Sequence, residues 1–365
     1  MKGAKKMVHK KIIAFLLIGL VLVPLIFIGA CSKQETTTPT EEPAREHETT
    51  KPIVLRYGEQ DPESHPNAGV TKMWLNKIEN DSNGRVKFES YFGGTLITAG
   101  DSYNEIQNRV ADVGKIIVDY VESGFDLHKV LPQFFIGISD PEAQVNIYRN
   151  LRSTFPEFEK EFEKVKNLNI VYAGSPYQLL TIKPVRSLED LRGLQIKGTP
   201  AQINPFKEFG CSIISMSMFD VYPALEKGTI DGVIAPLDVL KSLNIAEVVN
   251  YCTTLDIPSY LHAGISMNWD VWNSLPPDIQ KIFEENSQYY TEQLLRVDKE
   301  SVQNSIEYAK ELGVEFLELT EDELSRLHSV LITEAQKKAA ELDAKGIPGT
   351  KIFEEAQRII NEQYN

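Results

Sequence analysis

The chain has little cysteine, no catalytic signature and no excess of basic charge. Three cysteines occur in 365 residues, Cys31, Cys211 and Cys252. None sits in a CxxC pair or at zinc spacing from a histidine, so neither a zinc site nor a dithiol redox site is expected. No GxSxG turn presents a serine nucleophile, and no glycine-rich loop is built to hold phosphate. His9 and His47 lie outside the segment that reads as folded, and His128, His262 and His328 have no motif around them. Paired carboxylates are plentiful in so acidic a chain and carry little information. No cofactor and no catalysis are expected. Lysine and arginine total 38 against 52 aspartate and glutamate, a formal charge of −14. That surface excludes a basic face for nucleic acid and a polybasic grip on anionic lipid. An anionic ligand would need a locally positive pocket.

One long apolar run is present. Ile12 to Ile28 follows Lys2, Lys5, Lys6, Lys10 and Lys11 and ends at Gly29-Ala30-Cys31. Lysines, then an apolar segment, then small residues make a secretory signal. A cysteine directly after the small pair resembles a lipobox, where bacterial lipoproteins are lipidated and cleaved. The resemblance implies a signal peptide over 1–30 and a mature chain that starts at a lipid-bearing Cys31, extracytoplasmic and held to a membrane. A single membrane-spanning helix is the competing reading. Removing 1–30 takes five lysines and no acid, leaving −14 − 5 = −19.

Residues 32–51 (SKQETTTPTEEPAREHETTK) hold no large apolar side chain and read as a disordered tether. About 20 residues reach roughly 70 Å stretched and about 25 Å as a coil. From Ile53 strands and helices alternate. Ile53 to Tyr57 and Val86 to Phe92 are strands. Asn67 to Asn80 is a helix with Val70, Met73, Trp74, Leu75 and Ile78 on or near one face. Glu142 to Val165 reads as one helix and Leu168 to Ala173 as one strand. Ser187 to Asp190 forms a capping box, Leu194 to Lys197 a strand, and Thr199-Pro200 opens a helix. Asp278 to Leu312 is a long helix that Gly313 closes. Alternation of this kind implies mostly parallel sheets covered by helices. Cys211 and Cys252 could pair in an exported protein, but each lies in a β-like apolar run, and buried free thiols are expected.

Ligands of open α/β sheets bind beyond the carboxyl ends of strands, where helix N-termini also point. In LQIKGTPA, Lys197 ends a strand, Gly198 allows close approach, and Thr199-Pro200 starts a helix. A cation and free backbone N–H groups would converge on one anion. The competing reading is a solvated loop lysine.

Two further runs carry a family resemblance. They are Lys183 to Lys197 (KPVRSLEDLRGLQIK) and Met218 to Gly232 (MFDVYPALEKGTIDG), supported by Tyr91 to Leu96, Ala111 to Gly114, Leu131-Pro132 and Asn273 to Pro276. Together they resemble the extracytoplasmic solute-binding proteins of TRAP transporters over nearly all of residues 53–365. The resemblance implies an α/β, two-lobed, periplasmic-binding-protein-like fold with long bracing helices. One lobe would hold 53–175 plus about 260–300, and the other 176–259 plus about 301–365, with residues 31–52 as lipidated cysteine and tether. It also implies a small organic acid as ligand and the small and large membrane subunits of a TRAP permease as partners. A binding lipoprotein of another uptake system, such as an ABC importer, shares the signal, tether and lobes.

The chain departs from the family pattern at three places. Lys197 stands where an arginine is usual, and a point charge replaces a planar fork. Ala235 stands where an asparagine is frequent, and Tyr177 where acid binders often carry arginine. The expected ligand has one anionic end, a monocarboxylate, and a less polar or aromatic body. Lys197 would take the charge, while Tyr177, Phe219 and Ala235 would face the remainder. Glu59, Gln60 and His65 follow the first strand, where loops aim at the cleft. Glu59 could accept a ligand hydroxyl or ammonium, and an exposed loop is the expectation for His65. Asp220 either lines the cleft or caps its helix.

Overall fold

Strand β1 (Ile53–Gly58) lies second from one edge of the first sheet. It pairs in parallel with β2 (Val86–Tyr91) and with β3 (Val113–Lys115). In the computed structural model the described residues are 51–364 except 64, 169, 199–203, 260 and 263. The expected signal peptide, Cys31 and nearly all of the expected tether lie outside them, as does the helix start expected at Thr199-Pro200. No helix among the described residues is long and apolar enough to cross a membrane.

Helix α1 (Pro66–Asp81) forms because His65 caps it, its Nδ1 accepting from the Asn67 N–H at 3.2 Å, with Pro66 as the first helical residue. Val70, Trp74, Leu75 and Ile78 face the core. Met73, expected near that face, is 41% exposed, one helical step around the cylinder from Trp74. Asn83 and Gly84 at positive φ turn the chain back. Trp74 packs against Phe283 and Tyr290 of helix α3 (Pro277–Glu311), with ring centroids 6.1 and 5.3 Å away.

The single helix expected over 142–165 is two pieces. Helix α2 (Pro141–Thr154) stops before Phe155-Pro156, and a short turn of helix follows at Glu157–Glu161. Pro156 has no N–H to continue the ladder and its ring crowds the preceding turn. The strand expected over 168–173 is also divided, into β4 (Lys166–Asn167) and β5 (Tyr172–Ala173), because the chain leaves the first sheet there.

The first sheet runs β2-β1-β3-β12-β4, with β12 at Ile265–Met267. The second runs β13-β10-β6-β9-β7-β8. Its members are β6 (Tyr177–Thr181), β7 (Gln195–Lys197), β8 (Ser212–Ile214), β9 (Gly232–Pro236), β10 (Tyr251–Ile257) and β13 (Glu315–Glu318). Between them in chain order lies a two-stranded ribbon, β5 with β11 (Leu261–His262). The sheets are mixed rather than mostly parallel. β12 is antiparallel to β3 and β4, and β6 is antiparallel to β9 and β10. These strands carry the chain across from the other sheet, so they enter from the opposite end.

Both faces of the second sheet are covered. Leu179 and Ile234 join one apolar cluster with helices α4 (Glu321–Ala344) and α5 (Gly349–Gln363), while Leu180 and Val233 join another with Ala309. Adjacent residues on one strand point to opposite faces, and each buried aliphatic side chain contributes roughly 1.5–3 kcal/mol. Asp190 accepts from the backbone N–H and hydroxyl of Ser187, at 2.9 and 3.1 Å, as the capping box predicts, although the turn is 3-10 rather than α. Cys211 and Cys252 are buried and free, and burial pushes the Cys252 thiol up to about 12.

Candidate functional site

A cavity of about 730 Å³ opens where strand ends from both sheets meet. Asp61 follows β1, Lys115 ends β3, Lys197 ends β7, and Ala235 and Pro236 end β9. The N-terminal end of α1 also reaches it through His65 and Asn67. This is the position that strand-end geometry predicts for a small-molecule site.

Lys197 is held by pairing on both sides, opposite Ile214 of β8 and Val233 of β9. It is 7% exposed. Its Nζ lies 2.9 Å from the thioether sulfur of Met218, and no carboxylate pairs with it among the described residues. Burial alone drives its pKa below the usual lysine value. A thioether is a weak acceptor, so the ammonium is poorly compensated in the ligand-free protein. The other two lysines lining the cavity are satisfied. Lys115 binds Asp61 at 2.6 Å, and Lys129 donates to the Val121 carbonyl at 2.6 Å.

Tyr177 and Ala235 line the same cavity, on β6 and β9. Their strands pair with Tyr177 opposite Pro236 and Gln178 opposite Ala235. Phe219 lies in the 3-10 turn Met218–Asp220, where Met218 is the cavity residue; its side chain is outside the described set. Asp220 is exposed and is not among the lining residues. Glu59 is fully buried behind the wall. It accepts from the Tyr57 hydroxyl at 2.7 Å and the Thr71 hydroxyl at 2.9 Å, and its Oε1 has no partner among the described residues. Burial raises its pKa, with Lys115 pulling the other way. The amide oxygen and nitrogen of Gln60 are likewise buried without partners among the described residues. His65 is exposed, as expected of its loop, yet it lines the cavity mouth, where partial desolvation lowers its pKa.

Sequence reading missed Asp61, Lys115, Asp119 and Asp238, which also line the cavity. Lys115 carried the same signal as Lys197, a lysine at a strand end. Asp238 lies two residues past β9, beside the start of a short helix at Val239–Ser242. Burial and the nearby Asp298 charge push its pKa up to about 6.

A second cavity, of about 900 Å³, is lined by Asp101, Glu122, Asp126, Glu157, Glu161 and Glu163 against Lys160, Lys164 and Lys345. Six carboxylates against three lysines suit an anion poorly. No group of three or more metal-ligating side chains is placed to hold an ion among the described residues.

Two mixed sheets thus surround a strand-end cavity whose one cation without a carboxylate or carbonyl partner among the described residues is Lys197. Residues 57–341 match the family described as DctP, bacterial extracellular solute-binding protein, family 7. The chain belongs to that family, one of transport solute-binding proteins and not of enzymes. It is 31% identical over 136 residues to the 2,3-diketo-L-gulonate-binding periplasmic protein YiaO of Escherichia coli, covering 37% of this chain and 41% of that protein. It is 25% identical over 171 residues to the C4-dicarboxylate-binding periplasmic protein DctP of Rhodobacter capsulatus, covering 46% and 51%. These matches span about half the length of the curated relatives. The fold is that of the TRAP periplasmic solute-binding protein from Desulfovibrio salexigens, with TM-score 0.73 at 24% identity, covering 85% of this chain and 97% of the other. A marine metagenome TRAP solute-binding protein, solved with metahydroxyphenylacetate, gives TM-score 0.72 at 20% identity, covering 86% and 100%.

Proposed function

We propose that this protein captures a small organic anion, a monocarboxylate with a less polar or aromatic body, and delivers it to the small and large membrane subunits of a TRAP permease. The cavity would close between a lobe of 53–175 plus about 260–300 and a lobe of 176–259 plus about 301–365. The observation that carries the reading is the Lys197 ammonium, buried at the cavity wall with no carboxylate partner among the described residues. A ligand carboxylate supplies the missing counter-charge, and a charge-assisted hydrogen bond of this kind is about twice as strong as a neutral one. Tyr177, Ile234 and Ala235 offer the remainder of the ligand an aromatic and apolar wall. Phe219 is assigned to the same wall from its place in the sequence. Glu59 and Gln60, which follow β1 of the first sheet, hold buried polar atoms with no partner among the described residues. Structural neighbours solved with aromatic acids, including one from Rhodoferax ferrireducens with copurified benzoate, support the body chemistry.

The anchor is assigned to Cys31, which places the protein outside the cytoplasm at a membrane surface. Cys31→Ser should release it into the soluble extracytoplasmic fraction, read by fractionation and by mass spectrometry of the acylated N-terminus. The ligand is tested by thermal shift against aliphatic and aromatic monocarboxylates, dicarboxylates and sugar acids. A ligand at 100 times its dissociation constant adds about 2.7 kcal/mol. Stabilisation by monocarboxylates that vanishes in Lys197→Ala fits the reading. Stabilisation only by dicarboxylates or sugar acids, or affinity unchanged in Lys197→Ala, overturns it.

A further inference from the structure

The cavity wall formed by the second sheet carries two charges of opposite sign that do not meet each other. Lys197 ends β7, and Asp238 follows β9, the strand paired with β7. Val233, opposite Lys197, is three residue steps from Pro236 along β9, roughly 10 Å of chain. No ion pair joins Lys197 to Asp238, and no side-chain donor reaches the Asp238 carboxylate among the described residues. The Ser305 hydroxyl bonds the Asp238 backbone carbonyl at 3.2 Å, and the carboxylate takes its hydrogen bonds from backbone N–H groups, its own and that of Val239.

We infer that Asp238 is a specificity-determining residue for a protonated amine on the ligand, so that the solute is an amino acid or related zwitterion with its carboxylate at Lys197. This rests on the reading of Lys197 as carboxylate anchor and goes one step beyond it. The surroundings of Asp238 fit a cation better than a second anion. Helix α3 presents Asp298, whose carboxylate is held by the hydroxyls of Tyr172, at 2.8 Å, and Ser175. Asp119 lines the same cavity. The positive groups on the facing wall are engaged elsewhere, Lys115 with Asp61 and Lys129 with the Val121 carbonyl. His65 spends its Nδ1 on the α1 N-terminus. A ligand ammonium beside Asp238 relieves the repulsion from Asp298 and adds a counter-charge to a carboxylate otherwise held only by backbone N–H groups among the described residues. One zwitterion therefore neutralises both uncompensated groups, whereas a plain acid neutralises Lys197 and adds a like charge near Asp238.

The test is isothermal titration of the mature protein at pH 7.5 with matched probes: pentanoate against 2-aminopentanoate and 5-aminopentanoate, and 3-phenylpropanoate against phenylalanine. At least one amino acid should bind about tenfold or more tighter than its amine-free partner, the scale of one close charge pair. Asp238→Asn should weaken that amino acid and tighten the amine-free acid, so the preference collapses or inverts. Binding of the amine-free acid shows that the variant cavity is intact, and Asp238→Ser repeats the comparison if the asparagine variant does not fold. Tighter binding of the amine-free acid in every pair, or a preference unchanged in Asp238→Asn, overturns the inference. If amine-free acids bind and Lys197→Met abolishes them while amines are rejected, the carboxylate anchor stands and only the role of Asp238 falls. If neither series binds, both fall together.

Discussion

Replacing Lys197 with methionine should make the ligand-free protein more stable and nearly useless as a binder. The side chain is 7% exposed and, among the described residues, its ammonium meets only the Met218 sulfur, at 2.9 Å. Methionine keeps an unbranched stem and puts a second thioether where the charge was. Exchanging buried ionic groups for apolar ones of similar volume is often neutral or stabilising by about 1–4 kcal/mol. At roughly 2 °C per kcal/mol for a chain of this size, the melting temperature should rise by about 2–8 °C at neutral pH. The pH dependence has a definite sign. Burial lowers the lysine pKa in the folded state from its usual 10.5, so between that lowered value and 10.5 the unfolded chain binds more protons. Wild-type stability therefore rises with pH through this window, and the advantage of Lys197→Met shrinks as pH approaches 10.5. Carboxylate affinity should fall by about 3–5 kcal/mol, or roughly two to three and a half orders of magnitude. Calorimetric melting across pH and titration with a carboxylate probe measure both halves. A variant that melts below wild type at neutral pH, or that binds the probe as tightly, refutes the reasoning.

Trp74→Ala removes a fully buried ring packed on Phe283 and Tyr290 and should cost about 3–5 kcal/mol in urea unfolding; a cost under 1 kcal/mol would mean the two helices are held by other contacts. Gly232→Ala places a methyl 2.6 Å from Thr181 Cγ2 and 2.7 Å from the Leu180 carbonyl, so about 1–3 kcal/mol of overpacking is expected, read from the same curves. Asp238 holds its proton up to about 6 when folded, against 3.8 ordinarily. Its contribution therefore falls as pH rises from 3.8 through 6, by about 3 kcal/mol at most. Asp238→Asn should gain on wild type across that window, and parallel pH–stability profiles would contradict it.

Much of this fold could be read from local signals that tertiary contacts reinforced. The apolar spacing in α3, the glycine after it and the Ser187–Asp190 pair each specify their element within a few residues. The errors came where a local signal had a competitor. Apolar periodicity runs through Phe155-Pro156, but the missing N–H ends the helix. Leu168 to Ala173 looks like one strand because a continuous apolar run does not record a change of sheet. Strand direction was illegible for the same reason: β6 and β12 read like their neighbours and run the other way. Within the cavity, Lys197, Tyr177 and Ala235 were reachable because each adjoins a strand end. Asp61 and Asp238 were not, since both lie in loops whose direction depends on how two sheets face each other. Asp220 drew attention by its motif and is exposed to solvent.

The path between the sheets is made three times: through β4 to β6 by way of β5, through β10 to β12 by way of β11, and along α3 from the first sheet to β13. Two of these routes share the slender β5–β11 pair, and the third is a rod of 35 residues, roughly 50 Å long. Tyr172 and Ser175 of the first route are fastened to Asp298 on that rod. Any swing of one half against the other must therefore twist the narrow crossing while sliding along a stiff strut. That geometry favours a small-angle, single-axis movement over a wide gape, and the crossing adjoins Tyr177 and Ser259 of the cavity lining.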